Sequence, residues 1–155
     1  MKVKYKIVII SDTHNKHMGL ENKFDLPAAD FIVHCGDVSS HGSEYEVREF
    51  LNWFSNLYQY DHKIFIAGNH DWLFESTPGL AKRLVEEYKD KNVYYLEDSG
   101  IELWGINFWG SPVIKPFNNW AFNRPEKKLK QHWDAIPQNT NVLITHGPSY
   151  MLMDF

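Results

Sequence analysis

Cysteine is almost absent: the 155-residue chain holds only Cys35, so no intrachain disulfide framework can form. Long apolar runs are missing as well, and none approaches the roughly 20 residues of a membrane span. The first residues, Met1-Lys2-Val3-Lys4-Tyr5-Lys6, are basic, but the apolar run after them, Ile7 to Ile10, is too short for the core of a signal peptide. These absences lead us to expect a soluble protein of a reducing compartment, cytoplasmic and without membrane association. A basic excess is lacking too, since 16 Lys plus Arg face 20 Asp plus Glu for a formal net charge of −4. That balance argues against binding along a long nucleic acid, which needs counterion release by many cationic side chains. Repeats, linkers and low-complexity stretches are also absent, and 43% hydrophobic with 23% charged residues is ordinary for one globular domain over residues 1–155. What is abundant is aromatic bulk, 15% of the chain with six Trp, and histidine, eight in all. So much aromatic surface requires a well-covered core or leaves an adhesive face.

Four short apolar runs stand between polar or glycine residues: Lys6 to Ile10, Phe31 to Val33, Lys63 to Ala67 and Asn141 to Ile144. They are continuous rather than alternating and rich in β-branched residues, the pattern of strands buried on both faces. Ser43-Glu44-Tyr45-Glu46 reads as a capping box opening a helix, with Val47, Phe50, Leu51, Phe54, Leu57 and Tyr58 following at helical spacing. A second helix is expected around Leu80, Leu84, Val85 and Tyr88, ahead of a strand at Val93 to Tyr95. Alternating strands and helices predict an α/β architecture with a largely parallel sheet. Between Gly100 and Gly110 the pattern becomes that of a hairpin turning near Gly105, the start of a second sheet. Residues 111–125 read as an ordered, aromatic loop, and a helix from Pro125 to about Ala135 leads into the last strand.

Polar residues with metal-binding and proton-transfer chemistry gather at the carboxyl ends of these runs. The first ends in Ser11-Asp12-Thr13-His14, the second in His34-Cys35-Gly36-Asp37, the third in Gly68-Asn69-His70-Asp71 and the last in Thr145-His146-Gly147-Pro148. Open α/β sheets place their ligand crevices at that end. Separate turn and cap roles would explain any one of these motifs, but not all four in this arrangement. Carboxylates, a carboxamide and imidazoles make a mixed O/N donor set suited to Mn²⁺, Fe or Zn²⁺. Asp12 and His14 would point the same way if the backbone there is extended. Gly36 and Gly68 would permit a tight turn and close backbone approach. Asp37 is the natural bridge between two ions, and such a pair, about 3.5–4 Å apart, can clamp a phosphoryl group and activate a water.

In that order, Asp12-x-His14, Gly36-Asp37, Gly68-Asn69-His70-Asp71 and Thr145-His146-Gly147-Pro148 resemble the motifs of the calcineurin-like metallophosphoesterase superfamily, from residue 5 to the C-terminus. His34 to Val38, Glu46-Val47, Phe50 to Trp53, Ile66 to His70 and Phe117 to Asn123 are similar to its metallophosphoesterase-domain-containing branch, which resembles class III cyclic-nucleotide phosphodiesterases. The resemblance implies an αββα sandwich and two divalent metal ions, the first on Asp12, His14 and Asp37 and the second on Asp37, Asn69 and His146. It implies His70 as general acid or charge stabiliser at the scissile phosphate, with Asp71 orienting its ring, and hydrolysis of a phosphodiester, a cyclic or other small nucleotide, by a hydroxide activated between two metals. One element of the superfamily pattern, a later Gly-His-x-His, is absent. The expectation is therefore a C-terminally short version of the fold. The alternative is a metal-poor member that binds a nucleotide or protein, as a homo-oligomer or completed by a partner chain, or a truncated product.

Among the remaining polar residues, His34 and Cys35 are expected in the core or behind the ligands, and no motif activates Cys35 as a nucleophile. His17, His41, His62 and His132 are expected at the surface or in loops, and Lys127, Lys128 and Lys130 on a solvated helix face. The Phe117 to Arg124 stretch reads equally as an aromatic plug at the core edge or as a wall for stacking a base. Trp120 and Asn123 are its candidate substrate contacts.

Overall fold

The β-branched runs form strands, and a computed structural model describes residues 4–147 of them and their connections. Pro148 of the last motif lies outside the described residues. In chain order the elements are β1 (Ile7–Ile10), α1 (Leu20–Lys23), β2 (Ala29–His34), α2 (Glu44–Ser55), β3 (Tyr60–Phe65), α3 (Trp72–Ser76), α4 (Pro78–Glu86), β4 (Val93–Tyr95), β5 (Ser99–Leu103), β6 (Ile106–Ser111), α5 (Glu126–Asp134) and β7 (Val142–Thr145). The short helices α1 and α3 carry too few turns to show a periodicity in the sequence.

Strands β1 to β4 pair in parallel in their chain order, with Ile7 beside Phe31 and Val33 beside Ile64. Right-handed crossovers between neighbours in that order put every connecting helix on one face. On that face Ile32 and Phe65 pack with Val47, Phe50, Leu51 and Phe54 of α2 and with Leu84 of α4. Strand alternation sends Phe31, Val33, Ile64 and Ile66 the other way, against Leu103, Phe108 and Ile144 of a second sheet. That sheet has the order β5-β6-β7, antiparallel then parallel.

The expected hairpin is present, and its Trp104-Gly105 turn has φ of 52° and 79° at the two positions, the mirror-image turn that matches strand twist. Trp104 folds back from it onto Phe31, His62 and Tyr5. Helix α5 buries only Leu129 and is tied down by His132 Nδ1, 2.8 Å from Asp98, whose other oxygen accepts from Ser111 Oγ.

Two expectations fail here. His17 is buried, lying 4.9 Å from the Trp53 ring and edge-on to Phe50. His62 is buried on β3, stacked on Phe31. Each is placed by its aromatic neighbours, which accept an uncharged imidazole as one more ring. Among the described residues no helix is long and apolar enough to cross a membrane.

Candidate metal centre

The parallel ladder continues past the strand ends and stitches the site loops together. Asp12 N donates to Gly36 O at 3.0 Å, His14 N to Asp37 O at 3.1 Å and Asn15 N to Val38 O at 3.2 Å. Asp12, His14, Asn15 and Asp37 all have positive φ, between 42° and 62°, in a region that costs a residue with a Cβ roughly 1 kcal/mol or more. The expectation of an extended Asp12-Thr13-His14 is therefore incorrect: left-handed turns, held by those cross-loop hydrogen bonds, aim the two side chains. The expected close approach at the glycines is present. A Cβ on Gly36 would stand 2.6 Å from His146 Nδ1, and one on Gly68 would collide with Asp37.

Asp37, buried at 3% exposure, is the centre of the arrangement. Its Oδ2 lies 3.6 Å from His14 Nε2 and 4.0 Å from His70 Nε2, and its Oδ1 3.5 Å from His146 Nε2. His14 Nε2 is also 4.0 Å from Asp12 Oδ1. Two donor groups result, His14, Asp37 and His70 on one side and Asp12, Asp37 and His146 on the other, with Asp37 common to both. The shared carboxylate is the one expected from the sequence. His70 stands in a donor group where only a proton-transfer role was expected, because its Nε2 shares Asp37 Oδ2 with His14.

The other ring nitrogen of each imidazole is already committed. His14 Nδ1 faces Ser39 O at 3.2 Å, His70 Nδ1 faces Ser40 O at 2.8 Å and His146 Nδ1 faces Cys35 O at 2.9 Å. A carbonyl only accepts, so Nδ1 carries the proton in all three rings and Nε2 is left toward Asp37. His146 Nε2 then meets Asn69 Oδ1 at 2.9 Å, two lone pairs facing one another beside the Asp37 carboxylate. A cation among these three groups, or a second proton on His146, resolves that contact. The donor set fits a divalent metal.

The pKa shifts follow the same charges. Burial pushes the Asp37 carboxyl up, but His146 and the His70 amide, which donates to Oδ1 at 2.8 Å, outweigh it and hold it below its ordinary value. Burial pushes His146 down, yet Asp37 beside it lifts it above the ordinary histidine value. Burial raises the Cys35 thiol to about 11, consistent with a side chain that is not a nucleophile.

Asp71 does not orient the His70 ring, and here the expectation is corrected. Its Oδ1 accepts from Ser39 N and Ser39 Oγ and its Oδ2 from Val38 N and Gly68 N, so the carboxylate is consumed by the backbone under Asp37. Burial raises its pKa. Asn123 is corrected likewise: its carboxamide accepts from Phe117 N and donates to Phe117 O and Asn118 O, closing its own loop. Trp120 does reach the site, its ring 4.0 Å from that of His70 and tilted by 32°. Ala121 and Phe122 of the aromatic loop plug the core, as the first of its two readings has it, while Ala121 N donates to Asn69 O. His34 is fully buried, as expected, and its Nε2 meets Thr13 Oγ1 at 3.0 Å between the candidate ligands Asp12 and His14. The carbonyls of Ser39 and Ser40 were missed, because backbone acceptors have no signature in residue types.

Fold and site together define an α/β sandwich whose candidate metal donors sit on strand-end loops around one shared carboxylate. The calcineurin-like phosphoesterase family pattern matches residues 5–154, and the chain belongs to that family, which is dinuclear-metal-dependent. Metallophosphoesterase domain-containing protein 1 of Homo sapiens is 32% identical over 169 residues, a match covering 97% of this chain and 50% of that protein. A UPF0046 protein of Caenorhabditis elegans is 34% identical over 163 residues, covering 96% and 53% respectively. The chain spans about half the length of the curated relatives it matches.

Proposed function

We propose that the protein is a divalent-metal-dependent phosphodiesterase acting on small nucleotide-type phosphodiesters, cyclic nucleotides included. The observation that carries this reading is the pair of donor groups sharing Asp37, one of them including His70, with the Trp120 ring against His70. Asp12, His14 and Asp37 would hold one ion, and Asp37, Asn69 and His146 the other; Asp12 groups with His146 but also lies 4.0 Å from His14 Nε2, and His70 would be kept free for proton transfer. Bound divalent ions supply charge neutralisation on the phosphoryl oxygens and acidify a water. The chain's residues do the rest. With Nδ1–H held by Ser40 O, His70 can take up and release a proton only at Nε2, the atom facing the site, as a general acid toward a leaving oxygen requires. Trp120 lies against the same ring and offers a face on which a nucleobase stacks.

Purified protein reconstituted with Mn²⁺ should bind about two ions per chain and hydrolyse an aryl phosphodiester and cyclic nucleotides. His70→Ala should lower kcat by about 10²–10⁴-fold. Trp120→Ala should raise KM for nucleotide substrates by about 5- to 100-fold, from the roughly 1–3 kcal/mol of base stacking, and leave a dialkyl phosphodiester unaffected. No turnover by the parent, or identical turnover by His70→Ala, overturns the reading. A second reading, a nucleotide- or protein-binding member completed by a partner chain, is favoured by one observation: Ile9, on the sheet face that carries Ile7, is 67% exposed. Mn²⁺ binding with full turnover by the monomer excludes it.

A further inference from the structure

Glu46 makes more hydrogen bonds than a helix cap needs. The capping box at the start of α2 uses one carboxylate oxygen: Oε2 accepts from Ser43 N and Ser43 Oγ, both at 2.8 Å, while Glu46 N donates back to Ser43 Oγ. The other oxygen is turned away from the helix. Oε1 accepts from Ser40 N and His41 N, each at 3.3 Å, and from Asn15 Nδ2 at 2.9 Å. Burial pushes the Glu46 carboxyl up, but the Ser43 amide and hydroxyl, with the Ser40 and His41 amides, outweigh it and hold the group below its ordinary value, charged and largely shielded from water.

What Oε1 gathers is the loop that carries the Ser39 and Ser40 carbonyls. One end of that loop is fixed from beneath by Asp71, through Val38 N and Ser39 N. Nothing in the Asp71 set reaches Ser40 or His41, and that end is held by Glu46. The Asn15 link adds the ligand-bearing loop after β1, where Asn15 follows His14 directly and Ser40 Oγ donates to His14 O at 3.1 Å.

We propose that Glu46 is a positioning residue for the metal centre: by holding the Ser40, His41 and Asn15 donors on Oε1, it fixes the Ser39 and Ser40 carbonyls that keep His14 and His70 protonated at Nδ1 with Nε2 toward Asp37. This rests on the reading of His14 as a metal ligand and His70 as the proton donor. Hydrogen-bond partners of the outer ring nitrogen set the orientation and basicity of ligand imidazoles, and their loss costs about 10- to 100-fold in metal affinity. His146 is the internal control. Its Nδ1 partner is Cys35 O at the end of β2, outside the loop that Glu46 gathers.

The test is long-range proton–nitrogen NMR of the metal-free protein above the histidine titration range, with Mn²⁺ affinity measured calorimetrically. The parent should show the Nδ1–H tautomer at His14, His70 and His146. Glu46→Ala should turn His14 and His70 into tautomer mixtures, leave His146 unchanged and weaken Mn²⁺ binding by about 10- to 100-fold. Glu46→Gln keeps the size of the side chain but replaces one acceptor oxygen with a donor, and should shift the same two rings less. Ser43→Ala, which removes the cap hydroxyl alone, should lower Tm without moving any tautomer. Unchanged His14 and His70 in Glu46→Ala overturns the proposal, as does loss of all three tautomers together in both Glu46 variants, which marks general collapse. If the parent binds no Mn²⁺ but the two rings still respond, the positioning role stands and the metal reading fails.

Discussion

On the helix side of the parallel sheet, Val47, Phe50, Leu51, Phe54 and Phe65 are fully buried, whereas on the opposite face Ile9 is 67% exposed although alternation places it beside Ile7. The first half is closed, with α2 and α4 laid across the strands. The second covers β2 to β4 and reaches Ile7 of β1 but leaves Ile9 exposed. The candidate site is divided along the same line. Asp12, His14, Asp37, Asn69 and His70 hang from strands of the closed half, where the Asp12 and His14 amides donate to Gly36 O and Asp37 O and the His70 amide donates to Asp37 Oδ1. His146 alone comes from the second sheet, attached through Cys35 O and Asn69. The centre is thus built by the closed half, and His146 is the joint by which the second sheet reaches it.

The largest difference should come from truncating the closed core. Phe50 touches the rings of His34, Trp53, Phe54 and Phe65, and Phe50→Ala should cost about 3–5 kcal/mol. Leu103→Ala on the sheet side, where neighbours can relax toward the open edge, should fall near 2 kcal/mol, the low end for such truncations. Urea denaturation of both variants gives the comparison, and equal costs would break it. Next in size is Asp71→Asn. One acceptor oxygen becomes a donor facing buried amides of Val38 and Gly68 or of Ser39, at about 1–3 kcal/mol for each donor left unpaired. Because those amides lie under Asp37, Mn²⁺ affinity should fall with stability.

Much of this was legible in residue order, for reasons particular residues make plain. Ile7 to Ile10 and Lys63 to Phe65 each declare a strand as part of a short apolar run, although only the second is buried on both faces and Ile9 corrects that expectation for the first, and Ser43 with Glu46 declares the start of α2 because a cap needs those side chains. The ligands show because Asp, Asn and His at strand ends are residue types with chemistry. Hidden were properties that residue type does not encode. The left-handed turns at Asp12, His14 and Asp37 occur without glycine and exist only through bonds between loops. Asp71 has the look of a partner for its neighbour His70, yet its oxygens go to amides more than 30 residues away as well as to Gly68. Within Tyr60-Asp61-His62-Lys63, His62 reads as exposed. Phe31, Tyr94 and the hairpin-turn Trp104 cover His62, and the carbonyls of Tyr60 and Lys91 accept from the Lys63 ammonium.

Acid should expose the closed half first. Burial lowers His34 to about 3 and His17 to about 4, the latter despite Glu49 and Glu21 nearby, against 6.5 for each when unfolded. As pH falls below 6.5 the unfolded chain takes up these protons before the folded one does, so stability is intact above that value and drains from pH 6.5 to about 4 through His17 and to about 3 through His34. Each histidine contributes a slope of up to about 1.4 kcal/mol per pH unit. His17→Leu should remove one such share from the acid limb while leaving the neutral-pH plateau nearly unchanged. Urea midpoints across that range measure it, and an unaltered slope would mean that His17 opens to water before the helix-side core does.

The smallest effect is predicted on the bare face, and its smallness is the informative part. Ile9→Thr keeps a β-branched side chain, so strand propensity on β1 is preserved and the change reads the burial of the side chain alone. With 67% of Ile9 already in water, little apolar area remains to be lost, and the cost should stay within about 0.5 kcal/mol. The same substitution at Ile64, fully buried under the second sheet, exchanges a core methyl group for an unpaired hydroxyl and should cost several times more. A cost at Ile9 approaching that at Ile64, and growing with protein concentration, would show that the face is covered in solution by a second copy. The contrast between the two halves would then belong to the single chain and not to the assembled protein.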